Sequence, residues 1–287
     1  MTATKPRTPW LFLLPACVFY AAFVLWPIGQ SVGVSLVWGC ETFGGHFAEL
    51  LFRPDVRFFR ALMNNALLVI LSLVVQLPCA MGLALLLSGR MPGRGVLRTV
   101  YFAPMIVPTV AIGFLWRFIY APAAEHGLLN ELLAGLGLGT VNWLGSASVD
   151  LFAIIVTVSW RYIGFHTVLF MAGLQSIPDE LYEAARIDGA TEWEAFRDIT
   201  LPMMRRVIAI SATLSIIGSL KYFDIFYVMS PGGGTQGSTD LVTTYMYRTA
   251  FESQRPGYGS AVAVALLVVT VAVAVPVMRM LHGEREG

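Results

Sequence analysis

Residues 178–202 read PDELYEAARIDGATEWEAFRDITLP, one long polar island in a chain that is otherwise strongly apolar. Pro178 followed by Asp179 and Glu180 suits a helix N-terminus, where a missing N–H is harmless and negative charge meets the positive end of the dipole. Gly189 suits the left-handed residue that closes such a helix. Thr191 with Glu194 three residues on is a capping box, so a second helix starts at once. It carries Trp193, Phe196 and Ile199 at helical spacing until Pro202 stops it. The segment is therefore expected to form a compact helix-turn-helix outside any membrane, bounded at 176–202. By composition alone it equally describes an amphipathic connector resting on a bilayer.

The rest of the chain sets the class. Of 287 residues, 56% are hydrophobic and 13% charged, and mean hydropathy is +0.69. A soluble domain cannot hide that much apolar surface, so the fold is an all-α polytopic membrane protein. A net charge of +1 argues against a nucleic-acid partner, and three cysteines, Cys17, Cys40 and Cys79, do not make a disulfide framework. Apolar runs place six transmembrane helices at about 10–38, 62–88, 100–120, 150–175, 206–229 and 260–281, in one transmembrane domain over 1–287. The first run is too long for a signal peptide, whose apolar region covers roughly 7–15 residues. Between the third and fourth spans, Gly127-Leu128-Leu129-Asn130 and Asn142-Trp143-Leu144 suggest a short amphipathic helix at the outer surface.

Lysine and arginine concentrate on the cytoplasmic side of a membrane. With the polar island inside, Lys5, Arg7, Arg90, Arg94, Arg98, Arg186, Arg197, Arg205, Arg206, Arg279 and Arg285 are cytoplasmic, against Arg53, Arg57, Arg60, Arg248 and Arg255 outside. That excess orients the chain with both termini in the cytoplasm. Arg117, Arg161, Lys221, Asp224 and His166 remain at or near membrane depth, where ionisable groups are functional candidates. Lys221 and Asp224, three apart, read as a local pair on one helical face, Arg117 as snorkelling, and His166 as a helix-helix hydrogen-bonding residue. No His, Cys and carboxylate cluster has metal-ligand spacing. Neither lysine of the chain, Lys5 or Lys221, follows a glycine-rich turn, so the chain has no phosphate-binding loop and cannot itself hydrolyse ATP.

Glu183-Ala184-Ala185, Asp188-Gly189-Ala190, Phe196, Ile199 and Leu201-Pro202 resemble, down to their spacing, the EAA loop of binding-protein-dependent ABC importer permeases. The resemblance extends over nearly the whole chain to the carbohydrate-uptake branch, of the maltose or glycerol-phosphate first-permease type. It rests on Pro104 and Pro108, Trp160, Leu174-Gln175-Ser176-Ile177-Pro178, Phe223-Asp224 with Gly232-Gly233, and Tyr247 with Ala250-Phe251. It implies that Glu183, Ala184, Ala185, Asp188, Gly189 and Ala190 form a coupling helix and turn that dock on a cytoplasmic ATPase, Glu183 through a charge-assisted contact. It also implies a non-catalytic subunit without cofactor, ATP and Mg being bound by two partner ATP-binding subunits. A second homologous permease, an extracytoplasmic solute-binding protein, membrane lipid and a sugar complete the implied partners. By the same resemblance Met105, Thr109, Tyr162, Phe165, Ser215, Ser219 and Tyr222 line the solute site. Aromatic rings and hydroxyls suit sugar C–H faces and hydroxyls, though small polar residues also serve interhelical packing. Met105 departs from a polar pattern, and Lys221 beside Tyr222 leaves open a glycerol phosphate or another anionic sugar derivative. A stand-alone secondary carrier needs inverted repeats and broken helices in two halves, which the sequence does not display.

Overall fold

The computed structural model describes residues 8–39, 42–53, 55–89 and 93–282. Lys5, Arg7, Cys40, Arg90 and Arg285 of the sequence reading lie outside them. The described residues are helical with no strand. In chain order the helices are α1 (Thr8–Tyr20), α2 (Trp26–Val37), α3 (Gly45–Phe52), α4 (Val56–Leu71), α5 (Leu77–Ser88), α6 (Arg94–Ile106), α7 (Thr109–Ile119) and α8 (Leu128–Gly135). There follow α9 (Asp150–Leu174), α10 (Asp179–Ile187), α11 (Glu192–Ala195), α12 (Leu201–Leu220), α13 (Asp224–Met229), α14 (Val242–Tyr247) and α15 (Pro256–His282). Among the described residues, five stretches are long and apolar enough to cross a membrane: Leu13–Val37, Val56–Ser88, Asp150–Leu174, Glu192–Leu220 and Pro256–Pro276. A sixth is the pair Gly95–Ile106 and Thr109–Ile119, bent by 103°.

Prolines explain both the continuity and the bend. Inside a helix, proline removes an N–H and its ring collides with the carbonyl four residues back. At Pro27, Pro78 and Pro202 the preceding turn is widened to π geometry over Ala21–Leu25, Ser72–Gln76 and Phe196–Thr200. In each, the residue just before the proline donates to the carbonyl five back, Trp26 to Ala21, Leu77 to Ser72 and Leu201 to Phe196. The wider turn lets the helix run on. Pro202 therefore does not stop the second helix of the polar loop, which continues unbroken into the fifth span. Pro108 has no such turn before it. Val107 adopts ψ 136°, the extended conformation favoured ahead of proline, and Pro108 adopts ψ 135°, so the third span is two helices rather than one over 100–120.

The fifth span also departs from its expected limits. Helix α12 ends at Leu220 and α13 begins at Asp224, so Lys221 and Asp224 do not share a helical face. Both are exposed and form no ion pair with each other.

The chain divides into two compact units, one over 1–55 with 246–268 and the other over 56–245 with 269–287. In the first, Arg255 grips both carboxylate oxygens of Glu49 at 2.8 Å and lies 4.8 Å above the Tyr258 ring, while His46 Nε2 donates to the Trp38 carbonyl at 2.9 Å. The second holds two apolar clusters. One gathers Leu68, Ile112, Ile154, Ile225, Phe226 and Met229. The other gathers Leu77, Met81, Leu87, Phe170 and Met204. Helices α6 and α9 approach so closely that a Cβ at Gly164 would overlap the Tyr101 carbonyl oxygen.

A polar knot is buried in the same unit. Asn64 donates to the carbonyls of Ser238 at 2.9 Å and Asp240 at 2.8 Å. Asn65 donates to the Ser219 carbonyl at 3.0 Å and accepts from the Val242 N–H at 2.8 Å. Ser238 donates to Asp150 at 2.5 Å. The glycine-rich turn at 232–237 threads this knot, with Gly232, Gly233, Gly234 and Gly237 all at positive φ.

Candidate functional site

A pocket of about 220 Å³ lies between α9, α12 and the π turn of the second span. It is lined by Met105, Tyr162, Phe165, Ser215, Ser219 and Tyr222, six of the seven residues expected of a solute site. Thr109 is not among its lining residues; it opens α7, beyond the break at Pro108. Tyr162 and Tyr222 meet edge to face at 5.9 Å. Tyr222 is 8% exposed, and its Oη has no hydrogen-bond partner of acceptable geometry among the described residues. Thr243 donates to the Tyr222 carbonyl, holding the backbone of the break at 221–223 in place.

The sequence reading did not assign Ser72, Gln76 and His166 to this pocket, and all three line it. Ser72 and Gln76 are one turn apart, and both fall within the π turn, so the widening that accommodates Pro78 also lies where two polar side chains face the cavity. Two polar residues at i and i+4 in a 33-residue apolar helix were the available signal. Ser72 Oγ lies 3.4 Å from Ser219 Oγ. His166 Nδ1 lies 2.6 Å from Ser211 Oγ, so His166 makes the expected interhelical hydrogen bond, between α9 and α12. Arg161 is 6% exposed with its guanidinium 5.6 Å from the Tyr162 ring centroid, and its Nε and Nη1 have no hydrogen-bond partner among the described residues. Arg117, in the last turn of α7, is exposed and reaches the Val228 carbonyl at 3.4 Å.

The second candidate region is the polar loop. Helix α10 has Pro178 as its N-cap residue and Asp179 and Glu180 in its first turn. Its C-terminus is a Schellman motif, in which Ala190 N–H donates to the Ala185 carbonyl at 2.9 Å and Gly189 N–H to the Arg186 carbonyl at 3.2 Å. Gly189 has φ 80°, as that motif requires. The capping box is complete: Thr191 N–H donates to Glu194 at 2.8 Å, and Glu194 N–H donates to Thr191 Oγ1 at 3.3 Å. The Thr191 backbone and side-chain donors hold the Glu194 carboxyl below the usual carboxylate range. Tyr182 Oη and Thr200 Oγ1, 2.8 Å apart, tie α10 to the continuous helix that follows.

Glu183, Ala184, Asp188 and Gly189 are exposed, and Ala185 and Ala190 are half-buried. Apolar side chains stand out among them, with Ile187 86% and Trp193 66% exposed. An open cleft of about 940 Å³ runs beside α10, lined by Leu85, Gln175, Tyr182, Arg186, Thr191 and Trp193 among others. Among the described residues, no group of His, Cys, Asp and Glu is arranged to hold a metal ion.

The family described as "Binding-protein-dependent transport system inner membrane component" matches residues 76–283. A probable ABC transporter permease protein YurN of Bacillus subtilis is 36% identical over 266 residues, covering 89% of each chain. The trehalose/maltose transport system permease protein MalF of Thermococcus litoralis is 32% identical over 265 residues, covering 91% of this chain and 88% of that one. Among solved structures, a bacterial ABC transporter involved in the import of the acidic polysaccharide alginate superposes with a TM-score of 0.86 at 25% identity. The match covers 97% of this chain and 96% of the other.

Proposed function

The chain belongs to the family of binding-protein-dependent transport system inner membrane components, and from that premise we propose that it is the permease subunit of an ATP-driven importer of a sugar or related polyol. The solute is delivered by an extracytoplasmic binding protein and crosses by alternating access. The observation that carries this reading is the pocket, where the rings of Tyr162, Phe165 and Tyr222 stand with the hydroxyls of Ser72, Ser215 and Ser219. Rings stack on the C–H faces of a sugar and hydroxyls exchange hydrogen bonds with its own. The names of relatives that carry trehalose, maltose, arabino-oligosaccharides or lactose support the same solute class.

In this reading the whole chain acts as one permease domain in a bacterial-type cell membrane, with both termini and the polar loop in the cytoplasm. Helix α10 seats in a groove of a partner ATPase, Glu183 meets a basic residue there, and Ala184 and Ala185 permit close approach. The Schellman turn at its C-terminus makes α10 a firm body for that contact. ATP and Mg belong to two such subunits, and a second homologous permease completes the membrane portion. The chain itself binds no cofactor and carries out no chemistry.

Reconstitution tests this directly. With its partner subunits and binding protein in proteoliposomes, uptake of the cognate sugar requires ATP on the loop side. Uptake that persists without ATPase subunits and follows an ion gradient would sink the reading. Screening the binding protein against neutral and acidic sugars identifies the solute.

A further inference from the structure

Helix α8 carries an apolar row that no part of its own unit covers. Leu128, Leu132 and Leu136 are 61%, 61% and 68% exposed, and Leu138 just beyond is 57% exposed. At about 100° per residue these three leucines of the helical register fall within one sector of roughly 80°. The adjoining sector faces inward: Leu129 packs on the apolar cluster around Ile112 and Ile154, and Asn130 is fully buried. Asn130 fixes the orientation of the helix. It donates to the Ala121 carbonyl at 2.9 Å and the Val141 carbonyl at 3.0 Å, and accepts from the Val141 N–H at 2.8 Å. The leucine row is therefore held outward by design of the inner face.

The depth of α8 is also fixed. Tyr120 donates to the Ala153 carbonyl at 3.1 Å, in the first turn of α9. Helix α9 has 25 residues, about 37 Å at 1.5 Å each, against a hydrocarbon core of about 30 Å. Its first turn consequently sits close to one boundary of that core, and Ala121, bonded to Asn130, sits with it. Helix α7, which packs against α8, carries its own outward-facing Phe114 and Phe118, 49% and 74% exposed. Segment 121–149 has neither lysine nor arginine, which leaves apolar insertion rather than charge to hold it.

We propose that α8 is an interfacial helix whose Leu128, Leu132 and Leu136 are seated in the outer leaflet, so that the loop between the third and fourth spans is anchored to lipid. The His126–Glu131 pair, at 2.9 Å and well exposed, lies on the aqueous flank. The anchor needs no anionic lipid.

The test uses the assembled transporter in nanodiscs of neutral lipid, with Cys17, Cys40 and Cys79 replaced by serine. A nitroxide is attached at Leu132→Cys or, separately, at Glu131→Cys. Collision with oxygen should exceed collision with an aqueous nickel chelate at position 132, and the order should reverse at 131. Leu128→Cys, one turn earlier, should repeat the result at 132, which guards against a local distortion by the label. Preference for the nickel chelate at 132 overturns the proposal in favour of an aqueous face. Shielding from both reagents overturns it in favour of a protein occupant.

Discussion

Two polar regions interrupt this apolar chain, and they satisfy their polar groups in opposite ways. The loop at 178–200 is one continuous piece of sequence whose caps are closed internally but whose Glu183, Asp188, Ile187 and Trp193 stay exposed. The knot of Asn64, Asn65, Asp150, Ser238 and Asp240 comes from distant segments, and each of these residues is at most 7% exposed. An exposed polar surface held rigid is free to meet another protein. A buried polar surface must be complete within the chain, because an unmade hydrogen bond away from water costs about 1–3 kcal/mol. The difference separates residues that hold the fold from residues that use it.

Substitutions can break that separation. Asn65→Ala leaves the Val242 N–H without its partner and removes one donor from the Ser219 carbonyl, which keeps the Tyr222 N–H, so thermal unfolding in detergent should report a loss of about 2–4 kcal/mol. An unchanged midpoint would mean that the knot does not hold the fold. Glu183→Lys should leave the midpoint unchanged while ATP-driven uptake falls steeply, since like charges then face each other at the proposed ATPase contact, at about 2–5 kcal/mol. Wild-type uptake by that variant would remove Glu183 from the coupling surface. Gly189→Val meets no neighbouring atom but forces a branched residue to φ 80°, at about 1–2 kcal/mol. Hydrogen exchange at the end of α10 should quicken by roughly tenfold, and exchange in the knot should not.

The smallest effect sharpens the comparison at the pocket. Tyr222→Phe deletes an Oη that makes no hydrogen bond of acceptable geometry among the described residues, so stability should hold. Uptake at limiting sugar should fall about fivefold if that hydroxyl meets the solute, worth on the order of 1 kcal/mol. Equal uptake by Tyr222→Phe would restrict Tyr222 to packing. Val156→Ala, at an exposed position of α9, should change neither property.

The contrast also explains what the sequence disclosed. The loop was legible down to its Schellman glycine and capping box, because every signal in it is local: Pro178, Gly189, and Thr191 with Glu194. The membrane spans were legible because an apolar run of twenty residues has few other destinations. The knot was not, since Asn65 and Val242 are brought together only by tertiary packing. Prolines were ambiguous for a different reason. Pro108 and Pro202 give the same signal in the sequence, yet one accompanies a 103° bend and the other sits in an unbroken helix, according to whether the preceding turn widens. Span limits at Lys221–Asp224 failed on that kind of local backbone choice. Six pocket residues were anticipated from a family resemblance. Ser72 and Gln76 escaped because their helix was read only as a membrane span.

The widened turn before Pro202 has a mechanical consequence. Because Glu192–Leu220 is one helix, no hinge separates the loop from the pocket. Glu192 and Ser219 lie about 40 Å apart along a stiff lever at 1.5 Å per residue. With Tyr182 bonded to Thr200 near the loop end of that lever, the proposed coupling would deliver a sideways displacement of α10 as torque on the whole rod. Ser215 and Ser219 then swing together, and a tilt of about 5° about the loop end moves Ser219 by roughly 3.5 Å, the reach of a hydrogen bond.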